Sequence, residues 1–333
     1  MMNTSKKPAY NVTPGTIIEG KWHRKSYFVV KSLGYGATGS VYLVKGREGL
    51  VALKISDDSM AITSEVNVLR HFSKVQGCLG PSLLDVDDWV LPGGRIVLPF
   101  YVMEYLKGLD FLSFIKKNGQ EWLGVLVLQL LSDLEQLHQA GWVFGDLKPD
   151  NLLVVGPPPK VRLLDVGGTT IKGRSIKEFT EFYDRGYWNL GSRKAEPSYD
   201  LFAVAMIILN TAYPHRFSKK GEVGDYYSQL VRAIQTASSL RKYENVMVKA
   251  IKGRYLSARE MRSDLIVAIS PQYNRNKAVA PPVNKKINYS KFIPKQEVIP
   301  KSTRNKFKGV IETIIIAVFL LVAYFLYIAG QIM

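Results

Sequence analysis

Residues 142–153 read WVFGDLKPDNLL, and this stretch decides the fold. Asp146 follows a hydrophobic run, with Lys148 two residues later and Asn151 five residues later. An acid at this position can act as a base for a hydroxyl group or orient it. The lysine can offset the charge of a transferring phosphoryl group, and the asparagine can bind a metal ion. Asp165 begins a second motif, DVG, nineteen residues after Asp146. Either acid alone would be an ordinary turn residue, but the ordered set predicts phosphoryl transfer.

A glycine-rich stretch lies upstream and reads GYGATGSV, with Gly34, Gly36, Gly39 and Val41 in a GxGxxGxV pattern. The glycines alone are a weak signal, because dinucleotide-binding sites carry the same spacing. In those sites the turn opens a helix, whereas here the chain continues as a strand and a second strand follows. A glycine hairpin between two strands can lay its backbone N–H groups over phosphates, because no Cβ keeps the phosphates away.

Lys54 and Glu65 form the next candidate pair. Lys54 ends the strand-like run VALK, thirteen residues after Val41, and could reach the phosphates under the hairpin. Glu65 belongs to an amphipathic helix predicted over residues 63–72 and could pair with the lysine. Alone, each would be an ordinary solvated side chain. The gap of 11 residues between them is short and predicts an abbreviated helix.

Composition excludes several classes of protein. The 333 residues are 47% hydrophobic, so the chain can bury a core and wholesale disorder is excluded. One cysteine, Cys78, excludes a disulfide framework, and four scattered histidines argue against a histidine-rich metal site. The formal net charge is +17, and residues 271–308 hold ten Lys/Arg against one acid, Glu297, which makes +9.

The chain divides into segments of different composition. We predict an N-terminal extension over 1–24, a folded unit over 25–270 with a strand-rich lobe (25–105) and a helical lobe (106–270), a basic linker over 271–308, and a membrane anchor over 309–333. In the helical lobe, apolar residues at i, i+3, i+4 spacing predict a helix over 122–140. Residues 200–212 are apolar nearly all round, which predicts a central buried helix.

The anchor rests on 17 uncharged, mostly apolar residues, 314–330. Such a run approaches the length that spans a bilayer. Lys306 and Lys308 precede it and no charge follows it, so the positive-inside rule predicts a single-pass tail anchor at the cell membrane with the folded unit in the cytoplasm. The N-terminus has no apolar run and does not resemble a secretory signal peptide.

Over about residues 25–270, the sequence resembles the Hanks-type Ser/Thr protein kinases of bacteria. The resemblance implies an α+β, bilobal kinase fold that uses ATP with Mg²⁺ or Mn²⁺ to phosphorylate protein Ser/Thr hydroxyls, its own included. By this resemblance Met103-Glu104-Tyr105 is the hinge that binds adenine, and Asp200 lies on the helix that braces the catalytic loop. The site residues that it implies are Asp146 and Lys148 (catalytic), Leu33, Gly34, Gly36, Gly39, Val41, Ala52, Lys54, Glu65, Glu104 and Leu153 (nucleotide-binding), and Asn151 and Asp165 (metal-binding).

Three motifs depart from the family pattern. Phe144-Gly145-Asp146 replaces HRD, so no arginine can bind a phosphorylated activation segment. Asp165-Val166-Gly167 replaces DFG, where valine can still pack apolarly, and APE is not recognisable. None of these changes removes a group that performs chemistry. They predict that control does not pass through phosphates on the segment's hydroxyls, which are Thr169, Thr170, Ser175 and Thr180.

The overall plan further resembles the membrane-anchored kinases of Bacillus-type spore formers, a resemblance that implies DNA binding by the basic linker and a role in sporulation. From its residues alone, the linker could also be a solvated spacer or contact anionic lipid, and self-association is a further expectation. The alternative functions are a pseudokinase or scaffold and a small-molecule phosphotransferase. Retention of Lys54, Asp146, Asn151 and Asp165 argues against the scaffold, which has no need of all four.

Overall fold

The computed structural model describes residues 12–36, 38–73, 80–221 and 224–270. They form a strand-rich N-lobe followed by a mostly helical C-lobe, as the sequence predicted. The elements of the N-lobe are β1 (Ile17–Glu19), β2 (Ser26–Gly36), β3 (Gly39–Gly46), β4 (Gly49–Ile55), α1 (Ser59–Phe72), β5 (Leu83–Val90) and β6 (Val97–Glu104). The predicted linker (271–308) and membrane anchor (309–333) lie outside the described residues. Among the described residues, no helix combines the length and apolarity needed to cross a membrane.

The strands of the N-lobe form one antiparallel sheet in the order β1-β2-β3-β4-β6-β5. Strand β1 pairs with β2, and Ile18 within it is fully buried in the N-lobe core. Just beyond β1, Gly20 bridges to Trp89 of β5, so the two edges of the sheet meet. The sequence analysis assigned residues 1–24 to an N-terminal extension, but β1 and Gly20 belong to the N-lobe. A three-residue strand carries too little pattern to be recognised.

Strand β2 loses its alternation partway along. Tyr27 and Val29 are buried on its core face. The register with β3 then shifts twice, once between Val29 and Lys31 and again before Gly34. Leu33 therefore does not share the core face with Tyr27 and Val29 and is 39% exposed. This displacement places Leu33 at the cleft between the lobes.

Helix α1 is not abbreviated, contrary to the prediction. It runs for 14 residues from Ser59, four residues before the predicted start. The Asp58 carboxylate caps its N-terminus by accepting hydrogen bonds from the backbone N–H groups of Met60 and Ala61, at 2.9 and 3.0 Å. The gap between Lys54 and Glu65 is short because the helix begins almost directly after β4.

The C-lobe is built around two long helices. Its elements are β7 (Gly108–Asp110), α2 (Phe111–Asn118), α3 (Glu121–Gln139), β8 (Trp142–Val143), β9 (Leu152–Val155), β10 (Lys160–Leu163), β11 (Thr170–Ile171), α4 (Pro197–Ala212), α5 (Tyr226–Thr236), α6 (Glu244–Ile251) and α7 (Ala258–Ile269). Helix α3 buries every apolar position that its spacing predicted, and α4 is buried nearly all round, as predicted. Strands β10-β9-β7 form one small sheet and β11-β8 another, and together they carry the loops that face the N-lobe.

Candidate active site

A cleft of about 400 Å³ opens where the N-lobe sheet meets the C-lobe loops. Most of the nucleotide-binding residues implied by the sequence line it. These are Leu33, Gly34, Val41, Ala52, Lys54, Glu104 and Leu153, with Asp165 at one end. Sequence reasoning did not single out Leu106, Gly108 or Leu164, which line the cleft as well. Apolar walls with two lysines, Lys54 and Lys107, and two carboxylates, Glu104 and Asp165, suit a flat ring joined to an anionic group.

The glycine stretch forms the predicted hairpin between β2 and β3, with Gly36 opposite Gly39 and Gly34 opposite Val41. Gly39 is the position that requires glycine. Its φ is +137°, and a Cβ there would lie 2.5 Å from the carbonyl oxygen of Ile55. Gly34 and Gly36 have no such close neighbour. The hairpin can therefore lie against β4 only with glycine at position 39.

Lys54 and Glu65 meet inside the protein. The Lys54 ammonium lies 2.7 Å from each oxygen of the Glu65 carboxylate, and both side chains are almost fully buried. It also donates to the Thr38 hydroxyl at 3.0 Å and lies 4.0 Å from Asp165. A buried charge is stable only when it is paired. The pair therefore holds the lysine at the end of the cleft where Asp165 lies.

Tyr101 secures the far side of this pair, and sequence reasoning missed it. Its hydroxyl donates to Glu65 Oε2 at 2.7 Å. Burial, with the Glu65 carboxylate beside it, raises the pKa of the Tyr101 hydroxyl well above its usual value. The hydroxyl therefore stays protonated and remains a donor. Nothing in local spacing marks Tyr101, since its partner lies 36 residues away.

The catalytic loop brings together the residues that decided the sequence reading. The Lys148 ammonium donates to Asp146 Oδ2 at 2.5 Å, and the Asn151 amide donates to the Asp146 carbonyl at 2.8 Å. The Thr180 hydroxyl donates to Asp146 Oδ1 at 2.9 Å and accepts from Lys148 at 3.1 Å. The sequence named Thr180 only as one of the activation segment's hydroxyls. Its hydroxyl instead joins the carboxylate and the lysine.

Asp200 braces this loop from below, as the resemblance implied. Its fully buried carboxylate accepts hydrogen bonds from the backbone N–H groups of Phe144 and Gly145, at 2.8 and 3.0 Å. His138 Nε2 lies 2.8 Å from the same carboxylate. Three partners thus fix the backbone directly before Asp146.

Gly145, at the position of the missing arginine, has no room for a side chain. Its φ is +87°, and a Cβ would lie 2.7 Å from the carbonyl oxygen of Gly168. Gly168 is equally crowded, since a Cβ there would lie 3.1 Å from the Cβ of Asp146. The catalytic loop and the turn after Asp165 therefore touch backbone to backbone. Val166 in that turn is buried in the core, as predicted.

Asp165 and Asn151 fit as protein ligands of a divalent cation. Asp165 is 50% exposed at the cleft, and its Oδ1 accepts a hydrogen bond from Gly167 N–H. Asn151 uses its amide nitrogen for the catalytic loop, and its amide oxygen, the ligand atom, bonds to no described residue. Within the described ranges, no three His, Cys, Asp or Glu side chains are grouped as a metal site. One or two protein ligands completed by substrate phosphates are usual for Mg²⁺.

Glu178 adds a carboxylate that sequence reasoning missed. Its Oε2 lies 3.7 Å from the position that a Cβ would take on Gly167, and oxygens of Asp165 and Glu65 lie 3.3 Å from the same point. Burial raises the pKa of Glu178, and the charges of Asp165 and Asp146 raise it further. Three carboxylates therefore converge on Gly167, and a cation bound at this end of the cleft would lower their mutual repulsion.

A buried carboxylate anchors the activation segment, residues 165–196. Asp184 accepts hydrogen bonds from Arg193 Nε at 2.8 Å and from the Tyr199 hydroxyl at 2.9 Å. It also accepts from the backbone N–H groups of Gly186 and Tyr187, each at 2.9 Å. The sequence identified no anchor here, because the motif expected for this role was not recognisable. Asp184 has no neighbouring sequence signal of its own.

The hydroxyls of this segment differ in access. Thr169 and Thr170 are buried, and Thr180 is held by Asp146 and Lys148. Ser175 is exposed and pairs with Lys194 in an isolated antiparallel bridge. Of these four hydroxyls, Ser175 is therefore the one at the surface.

Comparison with known proteins agrees with this geometry. The protein kinase domain model matches residues 27–267. The chain is 46% identical over 333 residues to the serine/threonine-protein kinase YabT of Bacillus subtilis, covering 96% of each chain. It is 24% identical over 314 residues to the probable serine/threonine-protein kinase PknB of Lactococcus lactis, covering 86% of this chain and 48% of that one.

A crystal structure of the Mycobacterium tuberculosis PknI kinase domain, a double mutant, shares the fold. The two structures match with a TM-score of 0.50 and 18% sequence identity. The match covers 78% of this chain and 99% of the PknI chain. The family match spans both lobes, and the similarity to YabT extends over nearly the whole chain. The chain therefore belongs to the protein kinase family, which uses ATP and a divalent metal, and it is a serine/threonine protein kinase.

Proposed function

We propose that the chain transfers the γ-phosphoryl group of ATP, bound with Mg²⁺, to Ser/Thr hydroxyls of proteins, its own included, with Asp146 as the base. The observation that carries this assignment is the compact group of Asp146, Lys148 and the Thr180 hydroxyl, joined by hydrogen bonds of 2.5 to 3.1 Å. A scaffold would have no physical need to bury Lys54 against Glu65 or to fix this group.

The cleft residues orient the nucleotide. Ala52 and Leu153 lie on opposite walls and would enclose the adenine ring. The hairpin at Gly34–Gly39 would lie over the phosphates, and Lys54 would neutralise them from below. Because Glu65 holds the ammonium in place, little conformational entropy is lost when the phosphates bind.

Asn151 and Asp165 would hold the cation. The bound Mg²⁺ would neutralise charge that develops on the phosphate oxygens in the transition state. Glu178 lies beside this site, where it would orient ligands of the cation or water bound to it.

Asp146 performs the proton step. An acceptor hydroxyl placed beside it would donate a hydrogen bond to the carboxylate, which aligns the oxygen for attack and takes the proton. The new O–P bond would form as the bond between the γ-phosphorus and the β–γ bridging oxygen breaks and ADP leaves. Lys148 would offset charge on the transferring phosphoryl group. Thr180 restrains both side chains, so the carboxylate needs no rearrangement when the acceptor arrives.

The test is Asp146→Asn, which keeps the size of the side chain and removes the base. We expect transfer of radiolabelled phosphate to a protein acceptor to fall by about 100-fold or more. ATP affinity should stay near the wild-type value, because Asp146 does not line the cleft. The control is Asp264→Asn on α7, where the same chemical change lies outside the cleft and should leave transfer unchanged. Undiminished transfer by the Asp146 variant would refute the assignment.

We further propose that residues 309–333 tether the kinase to the cytoplasmic face of the membrane and that residues 271–308 bind DNA, which stimulates activity. The uncharged run at 314–330 and the +9 charge of the linker support this proposal. DNA that binds several linkers would raise the local concentration of kinases and promote phosphorylation between copies.

This second proposal is tested with residues 1–308 and duplex DNA at increasing salt. Each phosphate contact adds about 0.9 to the slope of log K against log salt, so stimulation should fade towards physiological salt. Replacing Lys285, Lys286, Lys291 and Lys295 by alanine should lower that slope by about 3 to 4. Stimulation by anionic vesicles and not by DNA would assign the linker to lipid instead. Stimulation by neither would make it a spacer.

A further inference from the structure

Arg162 is a buried cation behind the wall of the cleft, and the functions above do not use it. It lies on β10, three residues before Asp165, and only 7% of its surface is exposed. In the β9–β10 pair it stands opposite Leu153, which lines the cleft. Strand β10 therefore leads to Asp165, at the metal-binding end of the cleft. The neighbouring strand, β9, contributes Leu153 to an apolar wall of the cleft.

The guanidinium reaches across to the hinge. Arg162 Nη2 lies 2.8 Å from Glu104 Oε2, and Nη1 lies 3.4 Å from Oε1. Glu104 is the last residue of β6 and lines the cleft. Hydrogen bonding by Arg162 and Ser82 outweighs partial burial and lowers the pKa of the Glu104 carboxyl, so it is ionised when it pairs.

The same guanidinium also holds the segment between α1 and β5. Its Nη2 donates to the carbonyl oxygen of Gly80 at 2.7 Å. Pro81 follows directly and lines the cleft, and Ser82 donates to Glu104 through its backbone N–H and its hydroxyl, at 3.2 and 3.3 Å. One cation thus joins three parts of the chain that border the cleft.

The chemistry of arginine suits this task. Its planar fork can bind two acceptors at fixed angles, which a lysine ammonium on a flexible stem cannot match. A buried charge must be paired, so the guanidinium keeps Glu104 and Gly80 close to β10. Local sequence does not show this, because the partners lie 58 and 82 residues away.

We propose that Arg162 is a positioning residue for ATP, whose guanidinium holds the hinge against β10, the strand that leads to Asp165, and so sets the spacing between the adenine end and the phosphate end of the cleft. The inference rests on the proposed nucleotide site. It requires Arg162 to act on ATP binding while it contacts neither the protein substrate nor the reacting atoms.

The test measures KM for ATP, KM for a protein acceptor and kcat in Arg162→Met, Glu104→Gln and the double variant. Each single variant should raise the KM for ATP about tenfold or more, with the KM for the protein acceptor within about twofold of wild type. The double variant should raise the KM for ATP no further than Arg162→Met alone, because that variant has already lost the contact between Arg162 and Glu104. If the two rises in the KM for ATP multiply in the double variant, to about 100-fold, Arg162 and Glu104 do not act as a pair.

A second measurement separates positioning from a loss of stability. ATP with Mg²⁺ uses both ends of the cleft, whereas adenosine uses the hinge end, so Arg162→Met should weaken ATP binding more than adenosine binding. Equal losses would overturn the inference. If the methionine variant does not fold, Arg162→Lys keeps the charge without the fork and should give a smaller rise in the KM for ATP.

The matched control is Lys249→Met. Lys249 also binds two acceptors, Glu260 at 3.1 Å and Asp264 at 2.9 Å, but it lies on α6, away from the cleft. Its KM for ATP should stay within about twofold of wild type. If Arg162→Met folds and keeps the wild-type KM for ATP, the inference about Arg162 is refuted and the proposed function still stands. If the wild-type chain transfers no phosphate, the proposed function is refuted.

Discussion

At the scale of single residues, Asp133 on α3 shows how burial changes a charge. Its partly buried carboxyl makes no hydrogen bond to any described residue. Burial raises its pKa to about 6, and the attraction of Lys160 and Arg162 only partly opposes this. The folded protein therefore binds a proton at Asp133 more tightly than the unfolded chain does. The free energy of unfolding should fall as the pH rises from about 4 to about 6. Above about pH 6 it should stay at the lower value, because of the cost of burying the ionised carboxylate.

Asp133→Asn should remove this cost. At pH 8 we expect the variant to be more stable than wild type by about 1 to 2 kcal/mol, a value discounted because the carboxyl is only partly buried. The gain should shrink as the pH falls through 6 and vanish below about pH 3, where the wild-type carboxyl is protonated in both states. Thermal unfolding of both proteins across this range is the measurement. A gain that does not depend on pH would show that ionisation is not its cause.

Residues with chemistry were recognisable from the sequence where their partners are near in the chain. Asp146, Lys148 and Asn151 lie within six residues, and each contributes to the catalytic loop as it folds. Thr180, Tyr101 and Arg162 were not recognised as site residues, because their roles depend on partners 32 to 82 residues away. A hydroxyl or a guanidinium in a strand or loop has no spacing that announces such a partner.

At the scale of elements, the contact between the catalytic loop and the turn after Asp165 can be tested directly. Gly141 and Gly145 have almost the same φ, +89° and +87°, but a Cβ on Gly141 would meet nothing within 4 Å. Alanine at either position costs about 1 kcal/mol through the backbone. Gly145→Ala must also displace Gly168 and should cost about 2 kcal/mol more.

Thermal unfolding of the two alanine variants gives this difference, and kinase assays should show a loss only for Gly145→Ala. Similar losses of stability in both variants would show that the loop and the turn can separate freely.

Elements were predicted where a pattern persists over several turns. Helices α3 and α4 appeared as expected, because periodicity over many residues averages out local exceptions. The start of α1 was missed, because its cap at Asp58 lies in a polar stretch without periodicity. The register shifts in β2 were missed as well, since they reflect the pairing with β3 rather than the local residues.

At the scale of the molecule, the N-lobe depends on residues that precede the family match at residue 27. Strand β1 covers the edge of β2, and Gly20 bridges to β5. A chain that begins at residue 25 would lose the burial of Ile18, worth about 2 kcal/mol, and would leave two sheet edges unpaired. It should unfold at a lower temperature and aggregate, as measured by calorimetry and size-exclusion chromatography. A chain that begins at residue 12 keeps β1 and serves as the control.

The bilobal arrangement itself was predictable, because strands precede helices along the sequence and the phosphate-binding motifs fall on both. The closure of the sheet by β1 was not, since three residues are too few to form a pattern. The linker and the membrane anchor rest on composition and remain predictions.

The contact between Gly145 and Gly168 limits how this enzyme could be redesigned to sense a phosphate. An arginine introduced at position 145 would meet the carbonyl oxygen of Gly168 before it could bind any phosphate. The backbone at both positions would have to change together, and the intermediate with only one change would be strained. A single Gly145→Arg substitution should therefore disrupt the catalytic loop. A phosphate-sensing arginine at position 145 is therefore more than one substitution away from this sequence, and control added by design would be placed most readily on other surfaces.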